Sequence, residues 1–175
     1  MSSDALQFSD FSKMFPAAEG KPKPLQMASG GNKPRILVGD DDPIQTLTLF
    51  QSLAQAGYEV VVAESGTDAI AELRKADHPP VAILDWKMPG MDGAEICERM
   101  RDAGKDVYLI LSKDQPTIQE VVAALEAGAD LCLPRTAPPE ELLAYVKVGF
   151  RNTDRQRALA HKLEELSGVR FTPES

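Results

Sequence analysis

Hydrophobic and polar positions follow two alternating patterns from Arg35 onward. Short runs that are apolar at successive positions predict strands, and longer segments with apolar residues three or four positions apart predict helices. The predicted strands are RILVG, YEVVVA, VAILD, DVYLILS and ADLCLP, and the predicted helices are PIQTLTLFQSLAQAG, GTDAIAELRKAD, DGAEICERMRDAG, TIQEVVAALEAG and PEELLAYVKVGFR. Strands that alternate with helices are typical of a parallel sheet covered on both faces. The pattern therefore predicts an α/β fold with a doubly wound, five-stranded parallel sheet.

Local details within this pattern favour the same fold. Gly57, Gly104 and Gly128 stand where three of the predicted helices should end, and glycine is common just past a helix C-terminus. The runs VVVA and AILD are apolar at successive positions, so we expect both strands to be buried on both faces of the sheet.

Two segments flank the predicted α/β domain, which we place at residues 35–150. Residues 1–34 contain four prolines and a Gly-Gly pair, a composition typical of a flexible N-terminal leader. Part of this leader is either a disordered tail or a short helix that docks on a partner through one apolar face. That face would consist of Leu6, Phe8, Phe11 and Phe15.

Residues 151–175 continue the helical pattern and predict a helical C-terminal extension or linker. Leu159, Leu163 and Leu166 have a spacing that resembles a coiled-coil seam, and Gly168 is a suitable helix end. Two interpretations remain open for this segment. It is either an arm that supports a homodimer or a solvated, frayed tail.

Composition and charge exclude several classes of function. The net charge of −8 and the pI near 4.8 argue against direct binding of nucleic acid or anionic membranes. No apolar run reaches the roughly 18 residues of a membrane span, and charges interrupt the N-terminus where a secretory signal would need an apolar core. We therefore expect a cytoplasmic protein. Cys97 and Cys132 lack the spacing of a zinc or redox motif, so two reduced thiols are expected.

Polar residues occupy the carboxyl ends of the predicted strands, where open parallel sheets bind their ligands. The first strand ends in three consecutive acids, Asp40, Asp41 and Asp42, and the third ends at Asp85. The last two predicted strands are followed by further polar side chains, which are Ser112, Lys113, Arg135 and Thr136. The sequence thus predicts one polar site at this edge of the sheet.

The three consecutive acids have two different predicted roles. Asp42 precedes Pro43, which suits the first position of a helix, so Asp42 is expected to be the helix N-cap. Asp40 and Asp41 remain at the strand end, within reach of Asp85 on a neighbouring strand. Carboxylates crowded in this way suit a hard, oxygen-liganded cation such as Mg²⁺, which offsets their repulsion.

A carboxylate beside Mg²⁺ can attack phosphorus and form an acyl phosphate. Such a transfer needs a metal on the phosphoryl oxygens and hydroxyl or cationic donors for the remaining charge. Asp85, Ser112 and a basic residue after the fifth strand supply these groups.

The segments RILVGDDDP, ILDWKMPGMDG, VYLILS and GADLCLPR strongly resemble the receiver domain of two-component response regulators, the CheY-like superfamily with a flavodoxin-like fold. The resemblance implies that Asp85 is the phosphoacceptor. It also implies that Asp40 and Asp41 hold Mg²⁺ together with Asp85 and the main-chain carbonyl of Lys87. Ser112 would be the switch hydroxyl that turns toward the phosphoryl group.

The chain departs from the family pattern on one side of this site. Arg135 stands where the family usually has lysine, and Thr136 replaces the proline that follows it. Cys132 stands at the usual aromatic switch position, Lys113 follows the switch hydroxyl, and Gly39 precedes the acids. The resemblance therefore leaves the metal and nucleophile half intact and the phosphoryl-binding half altered, with Lys113 as a candidate replacement cation.

Three functions use residues of the types found at this site. The first is a phosphorelay signalling switch, in which a sensor histidine kinase or a phosphotransfer protein phosphorylates Asp85 and an output protein responds. The alternative is a receiver-like, non-phosphorylated protein-binding module, a pseudo-receiver. A Mg²⁺-dependent phosphohydrolase is disfavoured, because its general acid would stand at Lys87. We therefore expect no enzyme beyond Mg²⁺-dependent self-phosphorylation and self-dephosphorylation.

Overall fold

The structure, a computed structural model, describes residues 33–167. The leader residues discussed above and Gly168 lie outside this range. The described chain alternates strands and helices in this order: β1 (Arg35–Gly39), α1 (Pro43–Gln55), β2 (Glu59–Ala63), α2 (Gly66–Arg74), β3 (Val81–Asp85), α3 (Gly93–Asp102), β4 (Tyr108–Lys113), α4 (Ile118–Glu126), β5 (Leu131–Pro134) and α5 (Pro139–Ser167). All strand pairs are parallel, in the order β2-β1-β3-β4-β5. The predicted doubly wound, five-stranded sheet is confirmed.

Side chains of the central strands point alternately into two apolar layers, because successive residues of a strand face opposite sides. On β1, Leu37 belongs to the layer with α2, α3 and α4, whereas Ile36 and Val38 belong to the layer with α1 and α5. On β3, Leu84 and Ile83 divide in the same way. Helices therefore cover both faces of the sheet, and its carboxyl edge is left open.

The helix ends follow the capping chemistry of the sequence. Ser65 caps α2 by accepting from the Asp68 amide, and Thr117 forms a reciprocal capping box with Glu120 at the start of α4. The three glycines predicted at helix ends all have positive φ, at 96°, 62° and 98° for Gly57, Gly104 and Gly128. These residues end α1, α3 and α4 as predicted.

The prediction that two apolar strands are buried on both faces is correct for only one of them. β3 is buried at every position, whereas β2 is the edge strand beside β1, and Val62 on it is 40% exposed. An edge strand has one neighbouring strand, so fewer side chains cover it. The apolar run of β2 did not reveal this position, because the run does not encode strand order.

Helix α5 continues well beyond the sheet, as the helical pattern predicts. It spans 29 residues, and the last of its buried residues is Thr153, whose hydroxyl donates to the carbonyl oxygens of Gly149 and Phe150. Farther along, Leu159, Leu163 and Leu166 are 64%, 65% and 78% exposed. Among the described residues, no helix is long and apolar enough to cross a membrane.

Candidate functional site

The strand register brings the predicted site residues to one edge of the sheet. Asp85 ends β3 and pairs with Ser112 on β4, while Asp40 directly follows β1, the other neighbour of β3. Arg135 follows β5, and its amide donates to the carbonyl of Lys113 at 3.0 Å. Residues up to 95 positions apart in the sequence therefore meet at the carboxyl edge.

Three of the acids form a compact cluster at this edge. One carboxylate oxygen from each of Asp40, Asp41 and Asp85 lies within 4.8 Å of the others. Asp40 and Asp85 are buried, whereas Asp41 is exposed. Carboxylate oxygens are the preferred ligands of Mg²⁺, which also keeps several waters, so an exposed third ligand fits its chemistry. The donor set fits the cation that the sequence predicts.

Asp42 has the separate structural role predicted for it. Its Oδ1 accepts from the Ile44 amide at 2.9 Å and from the Gln45 amide at 3.5 Å, and Pro43 opens α1. The N-cap prediction is confirmed. The cap also orders the preceding residues, since the Asp42 amide itself donates to Oδ1 of Asp40 at 2.9 Å.

The turn after β3 holds Asp85 by backbone contacts. The Lys87 amide donates to Oδ2 of Asp85 at 3.2 Å, and the Trp86 amide donates to the Ser112 carbonyl at 2.8 Å. Gly93 packs so tightly here that a Cβ on it would lie 2.3 Å from the Asp85 carbonyl oxygen. Glycine is therefore required at the end of the MPGMDG segment, where α3 begins against the buried acid.

Arg135 lies across the two buried acids. Its Nη2 donates to Oδ1 and Oδ2 of Asp40, both at 2.9 Å, and its Nε donates to Oδ1 of Asp85 at 3.1 Å. Its Nη1 is 3.7 Å from Oδ2 of Asp42. The guanidinium is therefore the counter-cation of the cluster, and its planar fork lets different nitrogens contact different acids.

Burial dominates the electrostatics of the cluster. Loss of hydration raises the pKa of Asp40 and of Asp85, and the backbone amides and the charge of Arg135 offset this only in part. Burial also lowers the pKa of Arg135, but the charges of Asp85 and Asp40 more than compensate and leave it raised. Arg135 is thus protonated. The raised pKa values of Asp40 and Asp85 mean that its charge does not fully offset the loss of their hydration.

The cations predicted on the altered side of the site have different partners. Nζ of Lys113 lies 3.1 Å from Oε1 of Glu120, in the first turn of α4, and Lys113 also lines the cleft beside Asp85. Glu120 was not among the site residues predicted from the sequence, although the Thr117-x-x-Glu120 spacing is the signal of a capping box that holds this carboxylate near β4. Cys132, which stands where receiver domains usually have an aromatic residue, is partly buried on β5.

An open cleft of about 400 Å³ gives access to these groups. Its lining includes Asp41, Asp85, Trp86, Lys113 and Arg135. A larger cavity of about 690 Å³ lies near Lys105, at the amino end of β4 and away from the acid cluster. The arrangement can hold a divalent cation next to Asp85, a largely buried carboxylate that lines the open cleft, and attack on a phosphoryl donor requires such a pairing of metal and nucleophile.

Comparison with known proteins agrees with this geometry. The family described as the response regulator receiver domain matches residues 36–147. The chain is 36% identical over 136 residues to the response regulator MprA of Mycobacterium bovis BCG, covering 76% of this chain and 59% of that protein. It is 40% identical over 119 residues to MprA of Mycolicibacterium vanbaalenii, covering 68% of this chain and 51% of that protein. The chain therefore spans between half and three fifths of the length of these relatives.

A solved structure shows the same fold. The signal receiver domain of the putative response regulator NarL from Mycobacterium tuberculosis superposes with a TM-score of 0.62 at 32% identity, covering 67% of this chain and 97% of that one. Together with the family match, this shows the class of the molecule. The chain belongs to the response regulator receiver domain family.

Proposed function

We propose that this receiver domain is a phosphorelay switch in which Asp85 accepts the phosphoryl group. Asp40, Asp41, Asp85 and the main-chain carbonyl of Lys87 would hold Mg²⁺. The observation that carries the proposal is the acid cluster, with oxygens of three carboxylates within 4.8 Å at the open edge of the sheet. The pseudo-receiver alternative is not favoured, because the family and the relatives that match this chain are response regulators.

The residues of the chain divide the work of the transfer. An Asp85 carboxylate oxygen attacks the phosphorus, the bond from phosphorus to the donor breaks, and the donor takes the electron pair. When bound, Mg²⁺ supplies positive charge for the phosphoryl oxygens. The Ser112 hydroxyl, on the strand next to Asp85, donates to one phosphoryl oxygen. Arg135 and Lys113 are the candidate cations for the remaining charge.

Receiver domains interact with histidine kinases and with output partners, and we propose both for this chain. A sensor histidine kinase or phosphotransfer protein would deliver the phosphoryl group. Ile44, Leu47 and Phe50 on α1 are 75%, 56% and 40% exposed, and the last two line a groove that also contains Asp41. An apolar surface next to the acceptor site supports docking of a protein donor rather than reaction with small molecules alone.

We propose three parts for the chain: a leader at residues 1–34, the receiver domain at 35–150 and a helical extension at 151–175. The burial along α5 supports a boundary close to residue 150, since its buried residues end at Thr153. The exposed leucines of α5 support the extension as the place where two copies associate.

Labelling with acetyl phosphate tests the proposed function. With Mg²⁺, the intact mass of the full chain should increase by one phosphoryl group, and EDTA should prevent the gain. Asp85→Asn should abolish it, because the amide is not a nucleophile of comparable strength. Asp92→Asn is the matched control, since Asp92 is an exposed aspartate in the same turn. No gain in the wild type, or an undiminished gain in Asp85→Asn, contradicts the proposal. Decay of the labelled species without a partner would measure self-dephosphorylation.

A further inference from the structure

Arg135 occupies the space between the two buried acids of the proposed metal site. Its Nη2 is 2.9 Å from both oxygens of Asp40 and 3.0 Å from Oδ1 of Asp85. The side chain of Arg135 is only 19% exposed. The guanidinium is therefore enclosed between the carboxylates and is not a surface cation that happens to lie nearby.

We propose that Arg135 is an internal competitor of the divalent cation. In the unphosphorylated chain it holds Asp40 and Asp85, and it has to withdraw from Asp40 before the metal binds there. This inference rests on the proposed function, because it concerns the same metal site. It adds that the unphosphorylated chain binds Mg²⁺ weakly, and that the weakness is caused by one side chain.

The oxygens of the buried acids are already engaged. Both oxygens of Asp40 accept from Arg135, and Oδ1 also accepts from the Asp42 amide at 2.9 Å. Oδ1 of Asp85 accepts from Arg135, and Oδ2 accepts from the Lys87 amide. A divalent ion drawing on these oxygens would stand close to a fixed positive charge. Repulsion at such distances is strong where water is partly excluded, so the two cations compete.

The shape of the arginine side chain makes this competition stronger than a lysine would. A guanidinium is planar and donates several hydrogen bonds in a fixed fork, so it can hold two carboxylates at once. An ammonium is a compact point charge on a flexible stem, and it can leave one carboxylate while it keeps the other. Arg135→Lys therefore separates the fork geometry from the charge, and Arg135→Ala removes both.

The test is the dissociation constant for Mg²⁺ of the full chain without phosphodonor. Trp86, the only tryptophan, lines the cleft and follows Asp85, so its fluorescence reports binding. The wild type should bind most weakly, Arg135→Lys severalfold more tightly, and Arg135→Ala at least about tenfold more tightly. Arg99→Ala is the charge-matched control, because Arg99 is an exposed residue of α3 paired with Glu95. It should match the wild type.

Mg²⁺ dissociation constants that agree within twofold between the wild type and both Arg135 variants would overturn the proposal. Tightest binding by the wild type, or no Mg²⁺ binding by any of these proteins, would also overturn it. Melting curves with and without Mg²⁺ show which variants fold, and if Arg135→Ala does not, the comparison with Arg135→Lys decides.

Labelling of Asp85 is measured separately, by intact mass. If Asp85 is not labelled but the Mg²⁺ dissociation constants follow the predicted order, only the proposed phosphorelay function is contradicted. If Asp85 is labelled but the dissociation constants are equal, only the proposed competition is contradicted.

Discussion

On one side of the cleft, the acids after β1 and at the end of β3 each place a carboxylate oxygen within 4.8 Å of the others. On the other side, the cations at the ends of β4 and β5 have partners in different places. Lys113 pairs with Glu120, whereas Arg135 reaches across the sheet to Asp40. The aspartate side chains are short, and backbone amides hold Asp40 and Asp85 in place. The lysine and arginine side chains are long enough to reach several different acids. In the β1–β3 half of the site, nearby backbone contacts thus set the positions of the buried acids. In the β4–β5 half, the positions of the cations depend on which distant acids they pair with.

The largest effect should come from the β1–β3 half, at its exposed member. Asp41→Asn should reduce Mg²⁺-dependent labelling of Asp85 by about a hundredfold or more, because the site loses one of its anionic ligands. The melting temperature of the metal-free chain should hardly change, since Asp41 is exposed. Intact mass and thermal melting measure the two effects. Full labelling in this variant would mean that Asp41 does not hold the metal.

The two thiols should differ in accessibility, because Cys97 lies on the buried face of α3 and Cys132 lies on β5. Cys97 is fully buried, and burial raises its pKa to about 12, so at pH 8 it is protonated and shielded. Burial also raises the pKa of Cys132, but that residue is only partly covered. Alkylation at pH 8 should therefore modify Cys132 about a hundredfold faster than Cys97, because the thiolate is the reactive form.

Peptide mapping of the alkylated chain measures both rates, and Cys132→Ser is the control. If the β4–β5 half rearranges on phosphorylation, a beryllofluoride mimic should change the rate at Cys132 and leave Cys97 unmodified. Equal rates at the two cysteines would show that the sheet opens more readily than its packing implies.

Stability should separate the two acids that follow β1. Asp40→Ala removes one of the two buried carboxylates that pair with Arg135 and should lower the free energy of unfolding by about 1–3 kcal/mol, because a partly buried cation loses one of its partners. Asp41→Ala should change it by less than about 0.5 kcal/mol. Urea unfolding without Mg²⁺ measures both.

A double-mutant cycle sharpens this comparison. If Arg135 is the partner that matters, Asp40→Ala should cost much less in an Arg135→Met background than in the wild type. Equal costs in the two backgrounds would show that the Asp40–Arg135 contact contributes no coupling energy.

The smallest effect should come from the ion pair between β4 and α4. Glu120→Gln keeps a side chain able to form the capping box but removes the charge that faces Lys113. Amides in the first turn of α4 should then exchange with solvent about two- to fivefold faster, as expected for a partly exposed pair. Hydrogen exchange by NMR measures this, with α2 as the internal reference. Unchanged exchange would show that Lys113 does not help to hold α4.

The sequence predicted those features that depend on neighbouring residues. The N-cap at Asp42, the glycine at each of three helix ends and the ten elements all follow from chemistry within a few positions. The burial of β2 was predicted incorrectly, because exposure of Val62 depends on strand order. The partners of Arg135 could not be predicted from the sequence, for a similar reason. A long side chain at one strand end reaches several acids, and only the assembled sheet selects Asp40 and Asp85.

Helix α5 also has a geometric consequence. At about 1.5 Å per residue, the part of this helix beyond Thr153 reaches roughly 20 Å, as a rod anchored at one end. Each residue turns the helix by about 100°, so the direction in which Leu159, Leu163 and Leu166 face is set by residue count. Inserting one residue after Thr153 would swing that stripe to a different side, while inserting seven would nearly restore it. The helix therefore sets the direction in which these leucines face as well as their distance from the sheet.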